Sequence, residues 1–581
     1  MIKKPLPPQR ILVLFMTLFF VSMTVFAQKD SEKKEFTKKY PMQKIKDKSE
    51  TYAKTYAKHK KEAIKKAKEQ GWVIRKQLDN GQLIEIQRVT DYGKPLYFIT
   101  NNIDAANTTS TDEVWSGGSA NLNLNGAGMT VGEWDGGGVL TTHQEFNNLG
   151  ASRVTQMDNP DATHYHATHV AGTMIAGGVE ANAKGMSFEG NLDAYDWDTD
   201  DSEMIEAGGN GLLISNHSYG YGTGWVYDGF SWSWVGDESI SSEEDYHFGF
   251  YGDLCARWDS IAYQLPYYLI AKAAGNDRGD GEGQTGHPPD GGSDGYDCIG
   301  WRGNAKNVLT VAAVDDLPSG YTGNPGDVTM TSFSSWGPAD DGRIKPDISG
   351  NGYNLYSPDD GGDDSYRTIS GTSMATPNVA GSLLLLQEHW NETQGMFMKA
   401  ATLKGLAIHT ADEAGANDGP DYKFGWGLMN TKRAAEVISN RNVTTLIEED
   451  SLSDGGTYSL NVEANGTDPL VVTVCWTDPA GTPTEPALDP STPMLVNDLD
   501  VTVTDGSSSY QPYKLDPQNP ANAATTGDND VDNVEKVVID PASETSYSII
   551  IDHEGTITDG PQHFSVIVSG ISTGRPIVQT D

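Results

Sequence analysis

The chain has 581 residues, 37% of them hydrophobic, with 64 glycines, three cysteines and a formal net charge of -40 at neutral pH. That length accommodates several domains with real cores, and three cysteines exclude a fold held together by disulfides. So acidic a surface repels phosphate backbones and argues against nucleic acid as a partner.

In chain order, residues 1–27 carry Lys3, Lys4 and Arg10 ahead of an apolar run over 11–26 that ends in small residues at Ala27. This is the pattern of a secretory signal peptide. The run is shorter than the ~20 apolar residues that span a bilayer, so we expect an exported, soluble chain without a membrane anchor. In an oxidising compartment Cys255 and Cys298 have the option of pairing, with Cys475 left over; the sequence leaves the connectivity open. Residues 28–110 hold 19 basic against 11 acidic side chains, a balance of +8, while residues 111–581 carry -51. The basic segment reads as a Lys-rich solvated helix to about Lys68, then strands over 72–74 and 83–86 around an Asp79-Asn80-Gly81 turn. A basic tail and a pro-region both fit that composition. Its place between the signal-peptide pattern and the long acidic part of the chain favours a pro-region, with the junction near 105–110.

Residues 129–135 read as a strand ending in Asp135, followed by Gly136 and Gly137. Such strand ends collect ligands and catalytic groups in open parallel sheets, although an Asp also simply opens turns. Tyr165-His166-Ala167-Thr168-His169 begins a helix of small residues with one exposed and one inward histidine. The glutamate of an H-E-x-x-H zinc pair is missing, so His166 reads as a general base. Apolar runs over 212–215, 267–274 and 308–314 alternate with helical stretches, as in a parallel α/β sheet buried on both faces. Between Gly220 and a helix starting near Asp253 lies an insertion with Trp225, Tyr227, Phe230, Trp232 and Trp234. It packs on its own domain or forms a cleft rim. Gly371-Thr372-Ser373-Met374-Ala375-Thr376-Pro377 then opens a long apolar helix, which sets Ser373 at a positive helix end and Pro377 in the first turn. Beyond Arg441 the texture changes to short alternating strands separated by Gly, Asp, Asn and Pro, the signature of an all-β sandwich.

Asp135, His166 and Ser373, in that order, together with the stretches around them, resemble the subtilase family of serine endopeptidases. The resemblance extends to Ser215-Asn216-His217-Ser218-Tyr219-Gly220, Ala273-Ala274-Gly275-Asn276, Ser332-Phe333-Ser334-Ser335-Trp336-Gly337-Pro338 and Asp341-Gly342-Arg343-Ile344-Lys345-Pro346-Asp347. It implies an α/β fold: a subtilisin-like parallel sheet with flanking helices, preceded by a small α+β pro-region and followed by an all-β jelly-roll sandwich. The expected division is a signal peptide over 1–27, a pro-region over 28–110, a catalytic domain over 111–440, the sandwich over 441–572 and a tail over 573–581. The last part is similar to the jelly-roll of the oxidatively stable alkaline subtilases at Leu495-Val496-Asn497-Asp498-Leu499-Asp500 and Asn533-Val534-Glu535.

By that resemblance the chain is a secreted serine endopeptidase of broad specificity, made as a zymogen and working through an acyl-enzyme. Asp135, His166 and Ser373 form its triad. Asn276 and the Ser373 N–H bind the oxyanion, and substrate adds a strand between Ser218, Tyr219, Gly220 and Ala274, Gly275. The pro-region acts as inhibitor and folding helper. No cofactor enters the chemistry, but structural calcium is expected, with Asp498, Asp500, Asp530, Asp532 and Glu535 clustered in loops of the jelly-roll and no ligand set assigned. Asp277, near the rim of the primary pocket, favours a basic side chain. Two departures stand out: Ala167 replaces a glycine usual in the family, and Glu133-Trp134 precedes Asp135 where small apolar residues are usual. A non-catalytic binding protein on the same scaffold is the competing reading; retention of all four groups of the chemistry argues for the enzyme.

Overall fold

The computed structural model describes residues 31–77, 83–90, 93–100, 105–281, 288–573 and 577–580; residues 1–30 and the turn at 79–81 lie outside them. Seven strands form one parallel sheet in the order Ile348–Asn351, Leu309–Val314, Leu269–Ala273, Ile214–His217, Thr130–Asp135, Asn191–Asp196 and Val154–Gln156. Leu269–Ala273 and Leu309–Val314 are buried at every residue, which is why they read as unbroken apolar runs. On one face lie the helices Tyr165–Ile175 and Thr372–Gln394, the second buried from Thr372 to Asn391. On the other, Trp258 of the helix Asp253–Gln264 packs on His217, which stacks on Trp134.

Ahead of this core, the helix Met42–Gln70 packs on the strand Leu83–Val89 and on the helix Asp200–Gly209. It is not solvated all round: Ile45, Ser49, Lys60, Ala63 and Ala67 are buried, a stripe at helical spacing that the density of lysines hides. The strand expected over 72–74 starts instead at Arg75 and ends at Gln77. Trp72, Val73 and Ile74 pack around Ala63, Ala67 and Ile86, so their apolarity belongs to the junction between helix and sheet. Arg75–Gln77, Leu83–Val89 and Pro95–Thr100 form an antiparallel sheet whose fourth strand is Tyr219–Tyr221 of the catalytic core. Thr100 pairs with Tyr219, Ile99 with Gly220 and Phe98 with Tyr221.

Basic groups of this segment meet acids of the core, Asp198 and Glu238, and Lys60 also meets Glu85 of its own segment. Lys60 lies 2.8 Å from Glu85 and 3.0 Å from Asp198, and Lys94 lies 3.4 Å from Glu238. The aromatic insertion folds as a hairpin of Trp225–Tyr227 and Trp232–Trp234, with Lys76 Nζ 3.6 Å from the Phe230 ring.

The C-terminal part is a sandwich of two antiparallel sheets. One has the order Thr445–Leu452, Gln562–Ser569, Leu470–Trp476, Val534–Ile539, the other Ser509–Tyr510, Asp498–Thr504, Ser546–Glu554, Tyr458–Glu463, Ile577–Thr580. Leu460, Val472, Trp476, Val501, Ile549 and Phe564 fill the space between them. The sandwich docks on the catalytic core through a buried ion pair, Lys306 with Asp478, and through Asn307, whose side-chain amide donates to the Asp478 carbonyl at 2.8 Å. Cys255, Cys298 and Cys475 are all free and buried. Cys255 Sγ donates to the Trp301 carbonyl at 2.9 Å, while Cys298 Sγ accepts from the Trp336 N–H at 3.2 Å, so the pairing open to Cys255 and Cys298 is not made.

Candidate active site

Asp135 is the last residue of its strand and fully buried. Its Oδ1 accepts from His166 Nδ1 at 2.7 Å and from the Gly136 N–H at 2.7 Å. His166 sits in the first turn of the helix Tyr165–Ile175, where the His164 ring caps the helix by accepting the His166 N–H. Both His166 and His169 are inaccessible to solvent, against the expectation of one exposed ring; the small residues of this helix let it lie flat on the core. Burial lowers the pKa values of His164 and His169 to about 3, so both rings stay neutral beside His166. His169 Nε2 lies 3.2 Å from the Leu355 carbonyl and 3.1 Å from that of Arg367, contacts that fix its ring as structure. Ala167 is an ordinary buried helical residue, and its methyl is tolerated for that reason.

Ser373 is the second residue of the helix Thr372–Gln394, so its own N–H is among those without an intrahelical partner. Its Oγ donates to the Ser218 carbonyl at 2.6 Å, and its carbonyl accepts from Ser218 Oγ at 2.7 Å. The nucleophile and the substrate-edge strand are thus tied together. Asn276 follows the strand Leu269–Ala273. Its Oδ1 accepts from the Thr372 N–H at 2.9 Å and from Thr372 Oγ1 at 3.2 Å, which leaves Nδ2 as the donor presented beside Ser373. Gly275 has a φ of +113°, and a Cβ there would fall 2.5 Å from Asp277 Oδ2, so glycine is needed at this turn.

Ser373 and Asn276 open on a cleft of about 490 Å³. Tyr219, Gly220, Ala274 and Gly275 line it, and so do Trp225, Tyr227 and Trp232, which places the aromatic insertion at the cleft rim. Asp277 and Asp280 also line it, beside Lys272. Burial raises the Asp277 pKa to about 6 and lowers that of Lys272 to about 7. Sequence reasoning missed Thr372 as the anchor of Asn276; a Thr just ahead of the serine was the only local signal.

A buried carboxylate orienting an imidazole, together with a helix-terminal serine and an anchored amide donor that share one cleft, are the parts of a serine hydrolase. Residues 121–427 match the Subtilase family, and the chain belongs to that family. It is 24% identical over 553 residues to the serine protease/ABC transporter B family protein tagB of Dictyostelium discoideum, covering 72% of this chain and 28% of that protein. It is 30% identical over 293 residues to the serine protease AprX of Bacillus subtilis, covering 46% of this chain and 58% of that one. Among solved structures it is similar to the patellamide maturation protease PatA, at 19% identity and a TM-score of 0.38, covering 55% of this chain and 99% of the other.

Proposed function

We propose that the protein is an exported endopeptidase of broad specificity, made as a zymogen and cleaving peptide bonds through an acyl-enzyme on Ser373. The observation that carries this is the bond between Asp135 and His166, set beside Ser373 and an Asn276 whose oxygen is already committed to Thr372. Asp135 holds the Nδ1 tautomer, so Nε2 takes the proton from Ser373 Oγ as it attacks the scissile carbonyl. The oxygen that becomes negative is stabilised by Asn276 Nδ2 and the Ser373 N–H. His166 returns the proton to the leaving amine, and water then releases the acyl group by the same steps in reverse.

Substrate binds as an added strand on the edge Tyr219–Tyr221, where main-chain bonds give breadth, while Asp277 and Asp280 bias the cleft toward a basic side chain. The zymogen reading is supported by the pairing of Pro95–Thr100 with that same edge: residues 28–110 act as an inhibitor lying where substrate would. The pattern of residues 1–27 supports export. The C-terminal sandwich, with its Leu495 to Asp500 and Asn533 to Glu535 stretches, supports kinship with the oxidatively stable alkaline subtilases.

Structural calcium fits the sandwich. Glu535 is 1% exposed. Its Oε1, Asp498 Oδ1 and Asp500 Oδ1 are buried without hydrogen-bond partners among the described residues. Burial first, and then the neighbouring acids Asp528 and Asp530, raise Asp498 to about 7; burial, Asp498 and Asp528 raise Asp500 to about 8. Hard carboxylate oxygens crowded this way suit calcium. Asp532 does not belong to the group: its Oδ1 accepts from the Ile344 N–H at 2.9 Å and its Oδ2 from Asn529 at 3.1 Å, because it serves the junction with the core. The test of the whole reading is hydrolysis of an unfolded protein substrate by the processed protein, which Ser373→Ala must abolish while leaving the fold intact; turnover by that variant would refute it.

A further inference from the structure

Glu133 is 1% exposed and neither of its carboxyl oxygens has a hydrogen-bond partner among the described residues. A buried carboxyl group left in that state is costly, and an apolar residue would serve the fold better at this point in a sheet.

Strand alternation fixes where the side chain points. Gly132 and Trp134 face one side: a Cβ on Gly132 would meet Leu212 and the Trp134 ring, and Trp134 stacks on Tyr195 and His217. Glu133 and Asp135 therefore share the other side, against the helix Tyr165–Ile175. Across the sheet Glu133 is in register with Ala194 and Asn216. Asp135 uses only Oδ1 for His166 and Gly136, and its Oδ2 has no partner among the described residues. Asn216 donates from Nδ2 to Ser218 Oγ at 2.9 Å, while its Oδ1 has no partner there either. Three adjacent side chains thus present oxygen acceptors without partners among the described residues. Beside the second N–H of Asn216 Nδ2, the group in the set able to carry a proton to them is the Glu133 carboxyl.

We propose that Glu133 is a positioning residue of the catalytic pair: as a neutral carboxylic acid it donates toward Asp135 Oδ2 through one water, and holds the carboxylate in the orientation His166 requires. The charges around it agree. Burial and the negative charge of Asp135 push the Glu133 carboxyl well above the usual carboxylate range. The flanking strands bring Asp196 beside Asp135 at the strand end and nothing ionisable beside Glu133 itself. The helix Tyr165–Ile175 brings His166 and the neutral His169, and Thr372–Gln394 carries no ionisable side chain before Glu388 apart from the Ser373 and threonine hydroxyls. Through Asn216, Ser218 and the Ser373 carbonyl the same cluster reaches the helix that carries the nucleophile.

This inference rests on the roles given above to Asp135 and His166, so the experiment includes Ser373→Ala as a control. The processed enzyme, Glu133→Gln and Glu133→Leu are compared for kcat, KM and the pH dependence of kcat/KM. Glu133→Leu is expected to lose about 10- to 100-fold in kcat, the scale of a misplaced catalytic group, with KM changed by less than about twofold. Glu133→Gln keeps a donor and is expected to restore most of the loss, with the acid limb in place because no charge is removed. A wild-type kcat in Glu133→Leu overturns the proposal, as does an equal loss in both variants. An acid limb displaced to lower pH in Glu133→Gln also overturns it, since that marks an ionised Glu133. If Glu133→Leu does not fold, the acid limb of Glu133→Gln decides alone. Undiminished activity in Ser373→Ala would instead refute the site assignment itself.

Discussion

Replacing Lys306 by Met breaks the ion pair that fastens the sandwich to the catalytic core. Lys306 and Asp478 are both inaccessible to solvent. The ammonium spends its three protons on the Asp478 carboxylate, the Pro479 carbonyl at 2.7 Å and the Met494 carbonyl at 2.7 Å. Asp478 also accepts from the Val496 and Asn497 N–H groups at 2.9 and 2.8 Å. Lys306→Met therefore leaves a buried carboxylate with two backbone donors and no counter-charge, and strips two carbonyls of their partner. Removing one member of such a pair costs about 3–5 kcal/mol. At about 2–4 °C per kcal/mol for a unit of this size, the thermal midpoint falls by roughly 6–20 °C in scanning calorimetry. Lys306→Met combined with Asp478→Asn removes the stranded charge, keeps an acceptor for one of the two N–H groups, and recovers part of the loss. A single variant within about 1 kcal/mol of the parent would refute the reasoning, because it would mean the pair is hydrated or the domains are not docked through it.

Asn276→Ala lowers kcat about 10²- to 10³-fold with KM little changed, the magnitude known for the matching donor of subtilisin itself. A loss confined to KM would contradict the role. Thr372→Val removes the Oγ1 contacts with Asn276 and with the Gly275 N–H, leaves the backbone bond to Asn276, and costs a smaller part of kcat, read in the same assay. The raised pKa values of Asp498 and Asp500 mean that folding takes up protons between the ordinary carboxylate range and about pH 7 to 8. In chelator, stability contributed there is greatest at low pH and declines as pH rises through that window, whereas excess calcium flattens the slope. Identical slopes with and without calcium in thermal melts would count against the site. Residues 28–110 added in trans inhibit the processed enzyme, and salt slows the onset because +8 meets -51; no inhibition at any salt concentration would remove the pro-region.

The parallel sheet and the positions of Asp135, His166, Asn276 and Ser373 were legible because each lies at the end of a strand or helix whose apolar pattern is local. The C-terminal sandwich was legible from short strands set between Gly, Asp, Asn and Pro, although Leu470–Trp476 is buried on both faces and does not alternate. What stayed hidden depends on residues far apart in the chain. Ser373 and Ser218 exchange hydrogen bonds across 155 positions, and Pro95–Thr100 finds Tyr219–Tyr221 only once the core exists. The burial of the helix Met42–Gln70 was masked by its lysines, whose long stems let a basic helix dock while the charges reach acids or water. Asp532 was grouped with the sandwich acids on proximity in sequence, but its partner Ile344 belongs to the catalytic core.

The central claim is that Ser373 is an activated nucleophile in a formed site. Labelling the processed protein with a fluorophosphonate probe and mapping the adduct by peptide mass spectrometry tests it most directly, because the probe reacts only with a serine that a neighbouring base has activated. The account predicts one adduct, on Ser373, lost in His166→Ala and slowed while residues 28–110 remain bound. A processed, folded protein that takes up no label on Ser373, or that labels equally well without His166, would contradict it.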